Sequence, residues 1–125
     1  MANLGYATVG SNNLEKAKAF YDGLFSPDGI TGVFEHPTGG RIYGKAGGIV
    51  FGVLGPYDGK PATIGNGTMV AFRCDTAKAV DAFHARALKL GGSDEGAPGY
   101  RAPKMYFSYF RDLDGNKLCA YALEA

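Results

Sequence analysis

Apolar positions follow two different rhythms along the chain. Leu14, Ala17, Phe20/Tyr21 and Leu24 recur at helical spacing and predict an amphipathic helix over residues 13–25. Asn12-Asn13 offers its N-cap, with Glu15 three residues beyond Asn12 as in a capping box, and Ser26-Pro27-Asp28-Gly29 ends it. Val80, Phe83, Ala87 and Leu90 predict a second helix over 76–90, capped by Asp75 or Thr76 and stopped by Gly91-Gly92. Elsewhere the apolar residues form short runs bounded by turn residues. These read as strands at 5–11, 30–36, 40–45, 48–54, 68–74, 105–111 and 117–123, with a weaker candidate near 93–97.

The order of these elements repeats. Ala19-Phe20 and Ala82-Phe83 lie 63 residues apart, and the same offset pairs Asn13 with Thr76, Val9 with Phe72 and Tyr6 with Met69. The pattern is a duplication of a βαβββ unit. Module 1 covers about 1–55, a linker 56–66 follows, and module 2 covers about 67–125, all within one domain spanning 1–125. A unit of roughly 60 residues has little core of its own, so the halves must pack on each other or on a partner chain.

Composition agrees with this picture. Twenty glycines among 125 residues, beside 8 Tyr and 8 Phe, suit short strands and many tight turns. A net charge of +1 with no Lys/Arg block gives no reason to expect nucleic acid or a membrane surface as partner. No apolar run approaches a membrane span, and residues 1–10 show no secretory pattern, so a cytoplasmic location is expected. Cys74 and Cys119 form no CxxC pair and read as reduced thiols.

Gly5–Val9, Asn13-Leu14 with Phe20-Tyr21, Asn66–Phe72, Val80–His84 and above all Arg111-Asp112-Leu113-Asp114-Gly115-Asn116-Lys117-Leu118 resemble the vicinal oxygen chelate superfamily of glyoxalases, bleomycin-resistance proteins and extradiol dioxygenases. The chain looks most like small bacterial glyoxalase-like proteins. The resemblance implies an α+β fold in which two βαβββ modules form a curved, cup-like mixed sheet with helices on its outer face. It also implies a homodimer, and a small molecule held in the cup. Metal-dependent members hold a divalent ion through His, Gln and Glu, and the ion stabilises an enediolate or related anion. Carried over one by one, those positions fall on Tyr6, Met69 and Cys119, and a fourth belongs somewhere in the strand near 48–54. Residues 46–54 contain no Asp, Glu, His, Gln or Cys. No cofactor is therefore expected; a divalent metal on soft or phenolic ligands is the alternative.

Side-chain alternation, started from these positions, puts Met69, Ala71 and Arg73 on the cup side, with Cys119 and Tyr121, and places Thr8 beside Tyr6. Tyr106 and Phe107 stand on opposite faces, as do Tyr109 and Phe110, and the sequence does not say which pair faces in. Tyr43 and Phe51 are further contributors. The candidate ligand-binding residues are thus Tyr6, Thr8, Phe51, Met69, Arg73, Tyr106, Tyr109, Cys119 and Tyr121. Aromatic walls with phenol hydroxyls and one buried Arg suit a small aromatic or anionic ligand; the same residues also suit a closed core or a dimer interface.

Other signals lead less far. His84 reads as a packing residue under the sheet, while Glu35 or His36 is a proton-shuttle candidate at a strand end. Gly99–Lys104 is a candidate lid carrying two cations. Asp112-x-Asp114 fails the calcium-loop pattern and reads as a hairpin turn; Gly55-x3-Gly59-Lys60 fails the phosphate-loop pattern. The function expected is metal-independent binding of a small hydrophobic or anionic molecule. The alternative is a glyoxalase-like lyase or isomerase acting on a small oxygenated substrate through Tyr6, Glu35, His36 or Cys119.

Overall fold

A computed structural model describes residues 1–125. The chain divides into two compact units, Met1–Ile64 and Gly65–Ala125. Unit 1 runs β1 (Ala7–Gly10), α1 (Leu14–Phe25), β2 (Thr31–Glu35), β3 (Arg41–Lys45) and β4 (Gly48–Leu54). Unit 2 runs β5 (Val70–Arg73), α2 (Ala77–Lys89), β6 (Ser93–Ala102), β7 (Met105–Arg111) and β8 (Lys117–Leu123). Each is a βαβββ unit with a four-stranded mixed sheet, in the orders β1-β4-β3-β2 and β5-β8-β7-β6. The first and last strands of each unit pair in parallel and the rest are antiparallel. The α+β class and the duplicated unit agree with the sequence reading.

The repeat holds to the residue. The first strands begin at Ala7 and Val70, the N-caps are Asn13 and Thr76, and the helices begin at Leu14 and Ala77. Asn13 Oδ1 accepts the Lys16 N–H at 3.2 Å, and Thr76 Oγ1 accepts the Ala79 N–H at 3.1 Å. The capping box does not form, since Glu15 pairs with Lys18 instead. Asn12 does other work: its amide bonds both the N–H (2.7 Å) and the C=O (2.9 Å) of Ala62, tying the segment after β4 to the start of α1. The 56–64 segment accordingly belongs to unit 1.

Each sheet buries one face against its helix. In unit 1, Ala17, Phe20, Tyr21, Leu24 and Phe25 pack on Tyr43, Phe51 and Val53, with Tyr21 and Phe51 rings 4.8 Å apart. The buried Tyr43 hydroxyl donates to Asp22 at 2.8 Å; burial and that bond hold its pKa well above the usual value. Arg41 spans Asp22 and Glu35, crossing Gly32, where an added Cβ would stand 2.7 Å from Arg41 Cδ. In unit 2, Phe72, Phe110, Leu118, Ala120 and Ala122 pack on Val80, Phe83, His84 and Ala87.

The largest departure from expectation is β6. A loop with a weak strand near 93–97 was expected, yet Ser93–Ala102 is one strand. It is an edge strand with register shifts around Gly96 and Gly99, which accommodates Pro98 without a lost ladder bond. Gly99–Lys104 is therefore no lid: it is the end of β6 and its hairpin turn, with Lys104 at φ 64°. The Asp112–Asn116 hairpin is held by the Asp112 carboxylate, which accepts the Asp114 and Asn116 N–H groups at 3.0 and 2.9 Å.

Candidate functional site

The face of the β5-β8-β7 sheet turned away from α2 is set by register. Ala71 pairs with Cys119 and Cys119 with Tyr109, forming one row; Arg73, Tyr121 and Phe107 form the next. Phe107 and Tyr121 stack at 5.0 Å with 19° between planes. The Lys117 ammonium lies 5.2 Å from the Tyr109 ring centroid and the Arg101 guanidinium 5.6 Å. Arg101 is fastened by its own strand, donating to the Ala97 carbonyl at 2.8 Å and to Gly99 at 3.1 Å. Glycine makes this possible: a Cβ at Gly96 would stand 3.0 Å from Tyr109 Cδ2 and 3.3 Å from the Arg101 guanidinium. Arg73 is exposed rather than buried as expected, because Ala71 and Arg73 point away from the helix at the sheet edge.

Three candidates turn toward the helices instead. Phe51 is completely buried against Tyr21 and Phe25, because its pairing with Ala7 and Tyr43 turns it toward α1. Tyr43, the further contributor, is buried on the same side. Tyr106 faces α2, where its hydroxyl donates to Asp81 at 2.6 Å and its ring meets Tyr100 edge-on at 4.9 Å. An odd separation puts Tyr106 and Tyr109 on opposite faces, so only Tyr109 joins Cys119. The structure adds Phe107, Lys117 and Arg101 to the face. Lys117 was legible, since it stands two residues before Cys119 on one strand.

The positions that the superfamily resemblance assigns to metal ligands carry poor ligands. Tyr6 is half exposed just before β1, and Met69 is 42% exposed just before β5. Cys119 is fully buried, and that burial, with the Cys74 thiol nearby, pushes its pKa up to about 11 despite Lys117 and Arg101. It is a neutral thiol at neutral pH. Register also gives the unit 1 equivalent of Cys119. Cys119 sits opposite Ala71, two residues beyond Met69; the equivalent partner of Thr8, two beyond Tyr6, is Gly52. Gly52 has no side chain, and a Cβ there would lie 2.7 Å from Ile42 Cδ1. Nowhere do three or more His, Cys, Asp or Glu side chains converge as a metal site would require.

Among the secondary candidates, His84 is buried with its ring edge-on to Phe110, as a packing residue, and its Nε2 lies 3.1 Å from Asp94 Oδ1. Glu35 is held below the usual carboxylate pKa by its hydrogen bond to Arg41. It is thus committed as an ion-pair partner. His36 lines a cleft within unit 1.

Two βαβββ units, each with its helix on one sheet face, define a glyoxalase-like architecture. A family model of the Glyoxalase/Bleomycin resistance protein/Dioxygenase superfamily matches residues 3–120, and the chain belongs to that superfamily. Among solved structures it is similar to a glyoxalase/bleomycin resistance protein from Albidiferax ferrireducens T118, with 40% identity, a TM-score of 0.87 and coverage of 97% of this chain and 98% of that one. It shares its fold with the fosfomycin resistance protein FosX from Listeria monocytogenes (18% identity, TM-score 0.73, 99% and 95% covered). It does so equally with a lactoylglutathione lyase from Agrobacterium tumefaciens (18% identity, TM-score 0.73, 98% and 94% covered). No curated protein matches the sequence. No helix is long and apolar enough to cross a membrane.

Proposed function

We propose that this chain binds a small aromatic anion against the open face of β5, β8 and β7, without a divalent metal. The observation that carries the reading is the approach of both Arg101 and Lys117 to the Tyr109 ring, on the same sheet face as the stacked Phe107–Tyr121 pair. Stacked rings offer an apolar surface for an aryl group, and cations at their edge favour a carboxylate or similar anion. Arg73 stands in the Tyr121 row with no protein partner for its guanidinium. Glu95, the carboxylate on the Lys117 side of the face, is occupied by Arg111 at 2.9 Å.

The donor set argues against the superfamily's metal chemistry. A phenol, a thioether and a neutral thiol do not suit a hard divalent ion, and Gly52, the unit 1 equivalent of Cys119, offers no side chain. Cys119 as a neutral thiol is also a weak nucleophile. The function is therefore binding without turnover, and the homodimer and cytoplasmic location expected from sequence belong to the same proposal.

Benzoate is a suitable probe. Nine heavy atoms at about 0.3–0.5 kcal/mol each give a Kd roughly in the millimolar range. Arg73→Gln and Lys117→Gln should each weaken binding several-fold, while benzyl alcohol, lacking the charge, should bind less well than benzoate. Equal affinity for the two, or conversion of an aromatic acid on long incubation, would overturn the proposal.

A further inference from the structure

Unit 1 carries a cleft of about 570 Å³ between the ends of β1 and β4 and the segment that follows β4. Thr8, His36, Thr38, Tyr57, Asp58 and Thr63 supply its polar and aromatic lining. The segment is fixed in place by the two Asn12–Ala62 bonds. Gly10 permits its close approach, since a Cβ there would stand 2.9 Å from Ala62 Cβ. The cleft is therefore a feature of a tied strap.

Its polar groups have defined roles. Thr38 Oγ1 accepts the Gly55 N–H at 3.1 Å, which leaves its own proton for His36 Nδ1 at 2.9 Å. The Thr38 N–H approaches the same nitrogen at 3.3 Å. Two donors on Nδ1 assign the ring proton to Nε2, which has no partner in the protein. His36 thus offers the cleft a hydrogen-bond donor. Asp58 offers an acceptor: Oδ1 takes the Lys60 N–H at 3.0 Å, which orients the carboxylate, and Oδ2 is unengaged. Tyr57 is fully exposed beside it. No Lys or Arg lines the cleft. Its charge is thus opposite to that of the β5-β8-β7 face.

We propose that this cleft is a second ligand site, taking a small aryl or alkyl amino alcohol. The ammonium pairs with Asp58 and lies against the Tyr57 ring, and the hydroxyl accepts from His36 Nε2–H. The reading is independent of the anion site in unit 2.

The test is an amide NMR titration with 2-amino-1-phenylethanol, read only on residues 8–63. Saturable shifts are expected at Thr8, Gly10, Thr38, Gly55, Asp58 and Thr63. Asp58→Asn should weaken binding about fivefold or more and His36→Phe about threefold. Tyr57→Ala, at a residue with no packing role, should weaken it about threefold and keeps the test valid if His36→Phe unfolds. The proposal is overturned by absence of saturation, by mandelate producing the same shifts with equal affinity, or by unchanged affinity in both Asp58→Asn and Tyr57→Ala.

Discussion

Iodoacetamide at pH 8 should modify Cys119 about a hundredfold more slowly than an ordinary thiol. The thiolate is the reacting species, and Cys119 is completely buried between its neighbours in β5 and β7. Burial raises its pKa from 9.0 to about 11. At pH 8 the thiolate fraction falls from about one in ten to about one in a thousand, and the rate falls with it. The same shift has a stability consequence. The folded state keeps the proton longer than the unfolded state, so the thiol's contribution is full below about pH 9 and is lost as pH rises toward 11. The total is on the order of 3 kcal/mol. Peptide mass spectrometry of a labelling time course separates Cys119 from Cys74, and urea unfolding from pH 8 to 11 measures the loss. Labelling of Cys119 at the rate of free cysteine, or a thiolate absorbance at pH 7, would refute the neutral, buried thiol and reopen nucleophilic chemistry at this position.

Three other outcomes follow from the packing and the ties described above. Phe51→Ala removes a fully buried ring that touches Tyr21 and Phe25; it should cost about 3–5 kcal/mol in urea unfolding, and a loss under 1 kcal/mol would show that Phe51 is not core. Asn12→Ala removes both bonds to Ala62; a loss of about 1–2 kcal/mol is expected, with faster hydrogen exchange at Ala62. Gly96→Val places side-chain atoms where Arg101 and Tyr109 now meet. Benzoate affinity should drop several-fold, with amide shifts confined to β6 and β7; unchanged affinity would remove Arg101 from the site.

The duplication was legible because it rests on local signals. Caps at Asn13 and Thr76, helical spacing behind them and glycine-bounded runs all repeat at one offset. What escaped the sequence depends on pairing between distant segments. Residues 46–54 are apolar on both faces, so only the register with β1 and β3 shows that Phe51 turns toward α1. β6 reads as a loop because Gly96, Pro98 and Gly99 mark loops in most contexts; an edge position and three register shifts make the same residues a strand. The role of Gly96 is visible only once Arg101 is seen lying over Tyr109.

Calorimetric titration of benzoate into the protein, once in EDTA and once with added Ni²⁺, tests the central claim most directly. The residues at Tyr6, Gly52, Met69 and Cys119 predict the same millimolar-range affinity in both and no separate heat of metal binding. Stoichiometric Ni²⁺ uptake, or benzoate binding that appears only with the metal, would contradict it.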